Sequence, residues 1–396
     1  ELKLRASYGL TGNFQIGNYE QVSAITRDTY ITGVSGQLQT GLRPSQIANP
    51  DISWEKTAMF NAGIDIELFK KQLAFTFEYY NGNTTDLLLE VPVPLTTGFG
   101  TSLQNIGEVN NNGFEASVNI SPDLGEFKWT SSFNVSVNRN EVKALGPENT
   151  DIITTAGTGH AFFITRVGEA IGSYYLLVQD GIFANEEQLN QYPHFDNTRV
   201  GDFRFVDVDG DGVLDVNKDR TIVGNYAPDF TYGFSNGFKY KGIDLNVAFQ
   251  GSYGGEILNL SRRYIANGEG NFNNTRELLN RWQSVANPGD LNTNRANRKA
   301  RGNNGRTSTW HVEDGSYLRL QNVSLGYSLP KSILEKLNIS KARVYVSGNN
   351  LYTWSDYTGY NPEVNLAGGS DQLTPGLDYG VYPLAKTYSL GINVSF

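Results

Sequence analysis

Leu384-Ala-Lys-Thr-Tyr-Ser-Leu-Gly-Ile-Asn-Val-Ser-Phe396 closes the chain on an aromatic residue. Tyr388, Leu390, Ile392, Val394 and Phe396 fall on one side of an extended backbone. Thr387, Ser389, Gly391, Asn393 and Ser395 fall on the other. A period of two marks a strand. A soluble sheet with one wet face shows the same alternation, but it rarely ends on a buried-face Phe with no polar tail. A membrane barrel, with apolar side chains toward lipid and small polar ones toward a lumen, needs such a strand.

Working outward, nine more segments alternate in the same way. Their apolar faces begin with Leu2 to Tyr8, Phe60 to Leu68, Leu73 to Tyr79, Phe114 to Ile120 and Phe127 to Val137. They continue with Phe230 to Phe238, Ile243 to Phe249, Val323 to Tyr327 and Val344 to Gly348. None of these positions is charged, although 18% of the chain is. The opposite faces hold Lys3, Arg5, Asp65, Glu67, Glu78, Glu115, Lys128, Lys239, Asp244 and Arg343. Lipid outside and water inside would require this division.

The connections alternate too. Short ones fall at 69–72, 121–126, 241–242 and 330–340, the last an amphipathic turn opened by Pro330. Long ones are expected at about 11–53, 82–105, 141–228, 255–313 and 355–383. Outer-membrane barrels have short periplasmic turns and long extracellular loops, whereas a sandwich gives no reason for strict alternation. The expected fold is therefore all-β, a transmembrane antiparallel barrel of which these are about ten strands. A start inside a strand and the length of the loops suggest the C-terminal part of a wider barrel, such as the 22-stranded transporters, with any plug domain lying upstream of this chain.

Composition agrees. Cysteine is absent, which excludes a disulfide framework and thiolate metal sites. The net charge of −9 invites neither nucleic acid nor anionic lipid. No window approaches the roughly 20 apolar residues of a spanning helix, and the negative mean hydropathy is what alternating strands produce.

Particular residues carry a family resemblance. They are Asn49-Pro-Asp-Ile-Ser-Trp-Glu-Lys-Thr57, Phe77-Glu-Tyr-Tyr80, Thr85-Asp-Leu-Leu-Leu89, Thr96-Thr-Gly-Phe99, Asn105-Ile-Gly107 and Asn112-Gly-Phe-Glu115. Further along come Asp207-Val-Asp-Gly-Asp-Gly212, Asp219-Arg220, Pro228-Asp-Phe-Thr-Tyr-Gly-Phe234, Val312-Glu-Asp-Gly-Ser-Tyr-Leu-Arg-Leu320, Ser347-Gly-Asn-Asn-Leu351, Tyr360-Asn-Pro-Glu363 and Ile392-Asn-Val-Ser-Phe396. From about residue 49 to the end, the chain resembles the SusC/RagA class of TonB-dependent outer-membrane transporters of the Bacteroidota. The resemblance implies a plugged 22-stranded barrel in the bacterial outer membrane, set among phospholipid and lipopolysaccharide. It also implies import of oligosaccharides or peptides, energised by TonB through the upstream part, with a SusD-like surface lipoprotein as lid. A passive porin and a soluble carbohydrate-binding β protein are the competing readings.

The sharpest chemical motif is Asp207-Val-Asp-Gly-Asp-Gly-Val-Leu-Asp215. Carboxylates at positions one, three, five and nine, with Gly212 at six and the Val213 carbonyl at seven, match the start of a calcium loop. Position twelve is Lys218, and Asp219 serves in its place if the loop bulges. The plainer alternative is a solvated acidic turn. Loop aromatics are abundant. Tyr264, Trp282, Trp310, Tyr357 and Tyr360 are the candidates for contact with substrate, since flat rings with a polar handle bind at low entropic cost. Tyr352 and Trp354, at a strand end, read instead as an interfacial girdle. A helix is expected over Thr275 to Ser284, packing Leu278, Leu279 and Trp282. The basic run Arg295 to Arg301, with Arg306 beyond it, reads as a solvated face, with acidic substrate or lipopolysaccharide phosphate as the sharper alternative.

Catalysis finds no support. His160, His194 and His311 are isolated, and neither a phosphate loop nor a nucleophile elbow occurs. The chain reads as a transporter and not as an enzyme.

Overall fold

The computed structural model describes residues 1–396 apart from 15, 33–35, 147, 299–302 and 365–372. Ten strands run through one sheet: β1 (Leu2–Asn13), β2 (Glu55–Leu68), β3 (Leu73–Pro92), β4 (Thr101–Ile120) and β5 (Phe127–Leu145). It continues through β6 (Phe230–Tyr240), β7 (Ile243–Tyr253), β8 (Tyr317–Ser328), β9 (Lys341–Trp354) and β10 (Thr387–Ser395). Asp123–Leu124 adds a short hairpin to the start of β5. The order of the ten in the sheet is their order in the chain, and every pairing is antiparallel. The sheet does not close: among the described residues, β1 pairs only with β2, and β10 only with β9.

All ten segments read from alternation are strands, and the chosen faces hold. Phe133, Phe234 and Phe249 lie in register across β5, β6 and β7, and Phe77 stacks on Phe114 at 6.0 Å. These apolar faces stay open. Leu4 is 74% exposed and Leu390 80%, so among the described residues no second sheet covers them as a sandwich would require. Aromatic residues mark both ends, with Tyr352, Trp354 and Tyr253 at one and Tyr240, Tyr327 and Phe69 at the other.

The opposite face is knitted by ion pairs that reach across strands. Arg5 on β1 meets Asp65 on β2 at 2.9 Å and Glu78 on β3 at 3.2 Å. It crosses Gly63, where an added Cβ would sit 3.0 Å from its guanidinium. Arg343 on β9 reaches Asp244 on β7 at 2.5 Å, passing over Gly326 on β8, where a Cβ would collide with its guanidinium. A side chain at Gly326 would displace the Arg343 guanidinium, and one at Gly63 would crowd that of Arg5.

The structure departs from two expectations. The connection read at 82–105 is mostly strand, because β3 and β4 run on to Pro92 and back from Thr101. A bulge between Thr84 and Leu87, with Asp86 at φ 57°, inserts an extra residue. This flips the parity of β3. Below the bulge Phe75, Phe77 and Tyr79 point outward; above it Leu87 and Leu89 turn inward and are buried with Val109, Val142 and Leu145. The helix read over Thr275 to Ser284 is only a 3-10 turn, Arg276–Asn280, and Leu279 is 71% exposed. Leu278 does pack inward, over Gly268.

Candidate functional site

The largest fully buried side chains lie in the connections and not in the ten strands. They include Phe163, Tyr174, Leu176, Phe183, Phe203, Leu258, Leu260 and Leu377. Four short strands, Ile152–Ala156, Ala161–Thr165, Ser173–Leu177 and Arg220–Gly224, make a small sheet. Leu258 and Leu260 from the next connection and Leu377 from the last pack on it. Glu256–Asn259 pairs with Val312–Asp314 and, in parallel, with Leu377–Asp378. Three connections far apart in sequence thus fold into one cap with its own core.

The cap's stability rests partly on polar groups taken out of water. The Tyr174 hydroxyl donates to the Glu256 carbonyl at 2.8 Å, and burial pushes its pKa up. Arg262 stacks on the Trp310 ring at 4.0 Å, donates to the Trp310 carbonyl and pairs with Glu277 and Glu313. His311 is fully buried, and its Nδ1 accepts from the Ser308 amide. Burial, with Arg262 and Arg263 nearby, lowers its pKa to about 3, so the ring is neutral.

The acidic loop forms a tight turn. Asp207 accepts from the amides of Gly210 and Gly212, each at 2.8 Å, and Gly212 sits at φ 81°, which a side chain would resist. Asp219, fully buried, accepts from the amides of Val208 at 2.8 Å and Asp215 at 2.7 Å. Oxygens of Asp207, Asp209 and Asp219 lie within 4.8 Å of one another. The structure thus brings Asp219 into the place left by Lys218. It does not gather the other two expected carboxylates, Asp211 and Asp215. Lys218 draws Asp211 aside at 3.0 Å, which, with the Val213 amide, holds the Asp211 pKa below its usual range. Asp215 accepts from the Asn217 amide.

The five aromatic candidates separate. Trp310, 5% exposed, and Tyr357, 7% exposed, are core residues. Trp310 packs on Phe203, and Tyr357 donates to Asp378, so neither ring is offered to a ligand. Trp282 is half-buried over Gly201, with its indole donating to the Ala184 carbonyl at 3.3 Å. Tyr360 projects from its loop at 79% exposure. Tyr264 lines a cavity of about 440 Å³, together with His160, Arg263, Asn267, Glu269 and Phe272. Nothing in the sequence marks those other five for this role, because amides and charges in a long loop carry no spacing signal. Of the basic run, Arg295 is no solvated residue: it pairs with buried Asp202 at 2.7 Å. Lys299, Ala300 and Arg301 lie outside the described residues.

The family model "TonB dependent receptor-like, beta-barrel" matches residues 1–351. TonB-dependent receptor P3 of Formosa agariphila is 38% identical over the whole of this chain, which covers 39% of that protein. TonB-dependent receptor SusC of Bacteroides thetaiotaomicron is 28% identical over the whole chain, covering 38% of its own length. Among solved structures, the RagAB peptide transporter superposes on all of the chain with a TM-score of 0.80 at 28% identity, over 41% of that chain. The chain thus spans about two fifths of the length of the curated relatives it matches. Those relatives are receptors and transporters, not enzymes.

Proposed function

Because this chain belongs to the TonB-dependent receptor β-barrel family, we propose that it is the barrel part of an outer-membrane importer of oligosaccharides or peptides. TonB energises the import, and a SusD-like surface lipoprotein covers the mouth. The family is one of outer-membrane proteins, and the uncharged open face of the sheet is the observation that carries the reading to this chain. The ordered cap at one end of the strands supports capture before passage. Its work is to hold cargo beside the lumen before passage. Support for the lipoprotein comes from the RagAB and SusC likenesses.

The test is uptake of labelled oligosaccharides and peptides by cells carrying the full-length protein. Energised uptake that stops when TonB is removed is the expected result. Uptake that continues without TonB would mean a passive pore and overturn the reading. Co-purification of a surface lipoprotein from solubilised outer membranes tests the partner.

We also assign calcium to Asp207, Asp209 and Asp219. One buried and two more accessible carboxylates converge there with no lysine or arginine paired to any of them among the described residues. Hard oxygen donors in that arrangement suit calcium.

A further inference from the structure

Two adjoining cavities in the cap, of about 440 Å³ and about 170 Å³, share His160, Arg263 and Gly305 in their walls. Arg220 and Arg306 line the smaller one and Glu269 the larger. Among the described residues, three guanidiniums therefore face this space against one carboxylate, in a chain whose net charge is −9. Two of the three have other work. Arg220 lies over the Phe162 ring at 3.5 Å, with Asp215 acting on it at longer range. Arg306 lies over Phe195 at 3.7 Å and donates to Asn303, and the charge of Glu269 acts on it. Glu269 is itself held by the Asn304 amide at 3.0 Å.

Arg263 differs. Among the described residues its side chain makes no hydrogen bond and no ion pair, while its neighbour Arg262 is engaged by Trp310, Glu277 and Glu313. Gly305 keeps the approach to it clear, since a Cβ there would come within 3.3 Å of Arg263 Nη1 and of Glu269 Oε2. Burial and the Arg263 charge hold His160 below its ordinary pKa. At neutral pH it therefore offers a hydrogen bond and no charge. Beside the guanidinium, Tyr264 and Phe272 meet edge to face at 5.3 Å, and Asn267 and Asn271 also line the cavity.

We propose that this cavity binds an acidic sugar unit of the cargo, its carboxylate or sulfate oxygens on Arg263 and its ring face against Tyr264 and Phe272. The inference rests on the import reading and narrows it. An unpaired, partly desolvated guanidinium gains most from an oxyanion, with hydrogen bonds roughly twice as strong as neutral ones. Aromatic walls and amides match the apolar face and hydroxyls of a pyranose. The volume lies within the range of about 300–1,000 Å³ usual for small-ligand pockets.

Calorimetry on the full-length protein in detergent micelles tests this with four probes: a glucuronic-acid tetrasaccharide, a sulfated cellotetraose, neutral cellotetraose and tetraglycine. At least one acidic sugar should bind about tenfold or more tighter than neutral cellotetraose, with Arg263→Gln erasing the difference and Arg263→Lys restoring part of it. Because the Arg263 side chain has no partner to orphan among the described residues, the variant should fold, as thermal melting would confirm. The proposal is overturned if acidic and neutral sugars bind alike, if nothing binds, if the preference survives Arg263→Gln, or if tetraglycine binds more tightly than either acidic sugar. TonB-dependent uptake of another cargo in any of those cases would leave the import reading standing.

Discussion

At the scale of single residues, His311 carries a large pH dependence. Its folded pKa of about 3 lies below the ordinary value near 6.5, so between these limits the unfolded cap takes up a proton that the folded cap refuses. The stability associated with the neutral ring is therefore present above about pH 6.5 and is lost as pH falls toward 3, by about 1.4 kcal/mol per pH unit at most. The cap's melting temperature, followed by tryptophan fluorescence because Trp310 lies 5.0 Å away, should fall from pH 7 to pH 5. In His311→Gln that particular slope should be absent. An equal slope in the variant would assign it elsewhere. Calcium belongs to the same scale. Asp209→Ala should abolish the heat of calcium binding, whereas Asp215→Ala should reduce it little because Asp215 stands outside the cluster. A wild-type protein giving no heat would remove the calcium assignment.

At the scale of elements, the bulge at Asp86 decides where the membrane-facing sheet becomes part of the cap. Deleting Asp86 removes the extra residue, so β3 should pair with β4 without a bulge while Leu87, opposite Gly107, and Leu89 stay on the inward face with Val109 and Val142. Leu89→Ala, which leaves register intact, should destabilise that junction by about 2–5 kcal/mol. Hydrogen exchange across residues 84–92 would report both, with the substitution exposing amides that the deletion leaves protected. The bulge also explains what is legible in the sequence. Strands read correctly wherever period two is unbroken, as from Leu73 to Tyr79 in β3. The reading stops short near Thr84, where one inserted residue shifts the phase. The cap reads only as loops, because its core joins Phe163, Leu258 and Leu377, and contacts across such separations leave no local period. Asp207, Asp209 and Tyr264 stand out in the sequence because spacing or residue type marks them. Arg263 does not, since what distinguishes it is the lack of a side-chain partner among the described residues.

At the scale of the whole molecule, the usual order of a folded protein is inverted: regular strands hold the open apolar surface and the connections hold the dry core. A charge placed on the outer face should therefore be far more damaging than the same charge on the inner one. Phe234→Arg should cost about 2–4 kcal/mol in assembly, as charges near a bilayer midplane do. Ser324→Arg, whose cross-strand neighbours are Asn246 and Ser347, should be tolerated. Urea titration of the full-length protein refolded into lipid vesicles measures both. Equal effects would mean that hydrocarbon does not bathe the outer face.

The two outermost strands of the sheet, Leu2–Asn13 and Thr387–Ser395, each leave one flank of peptide groups without a mate among the described residues. In oil such groups have no water to turn to, at several kcal/mol apiece. The ten-stranded ribbon should therefore be a poor membrane resident by itself and an avid template for any extended chain. Produced alone in aqueous buffer, it should gather edge to edge into thioflavin-positive aggregates. Supplied in trans with the part of a longer relative that this chain does not match, it should instead be drawn into a heat-modifiable barrel.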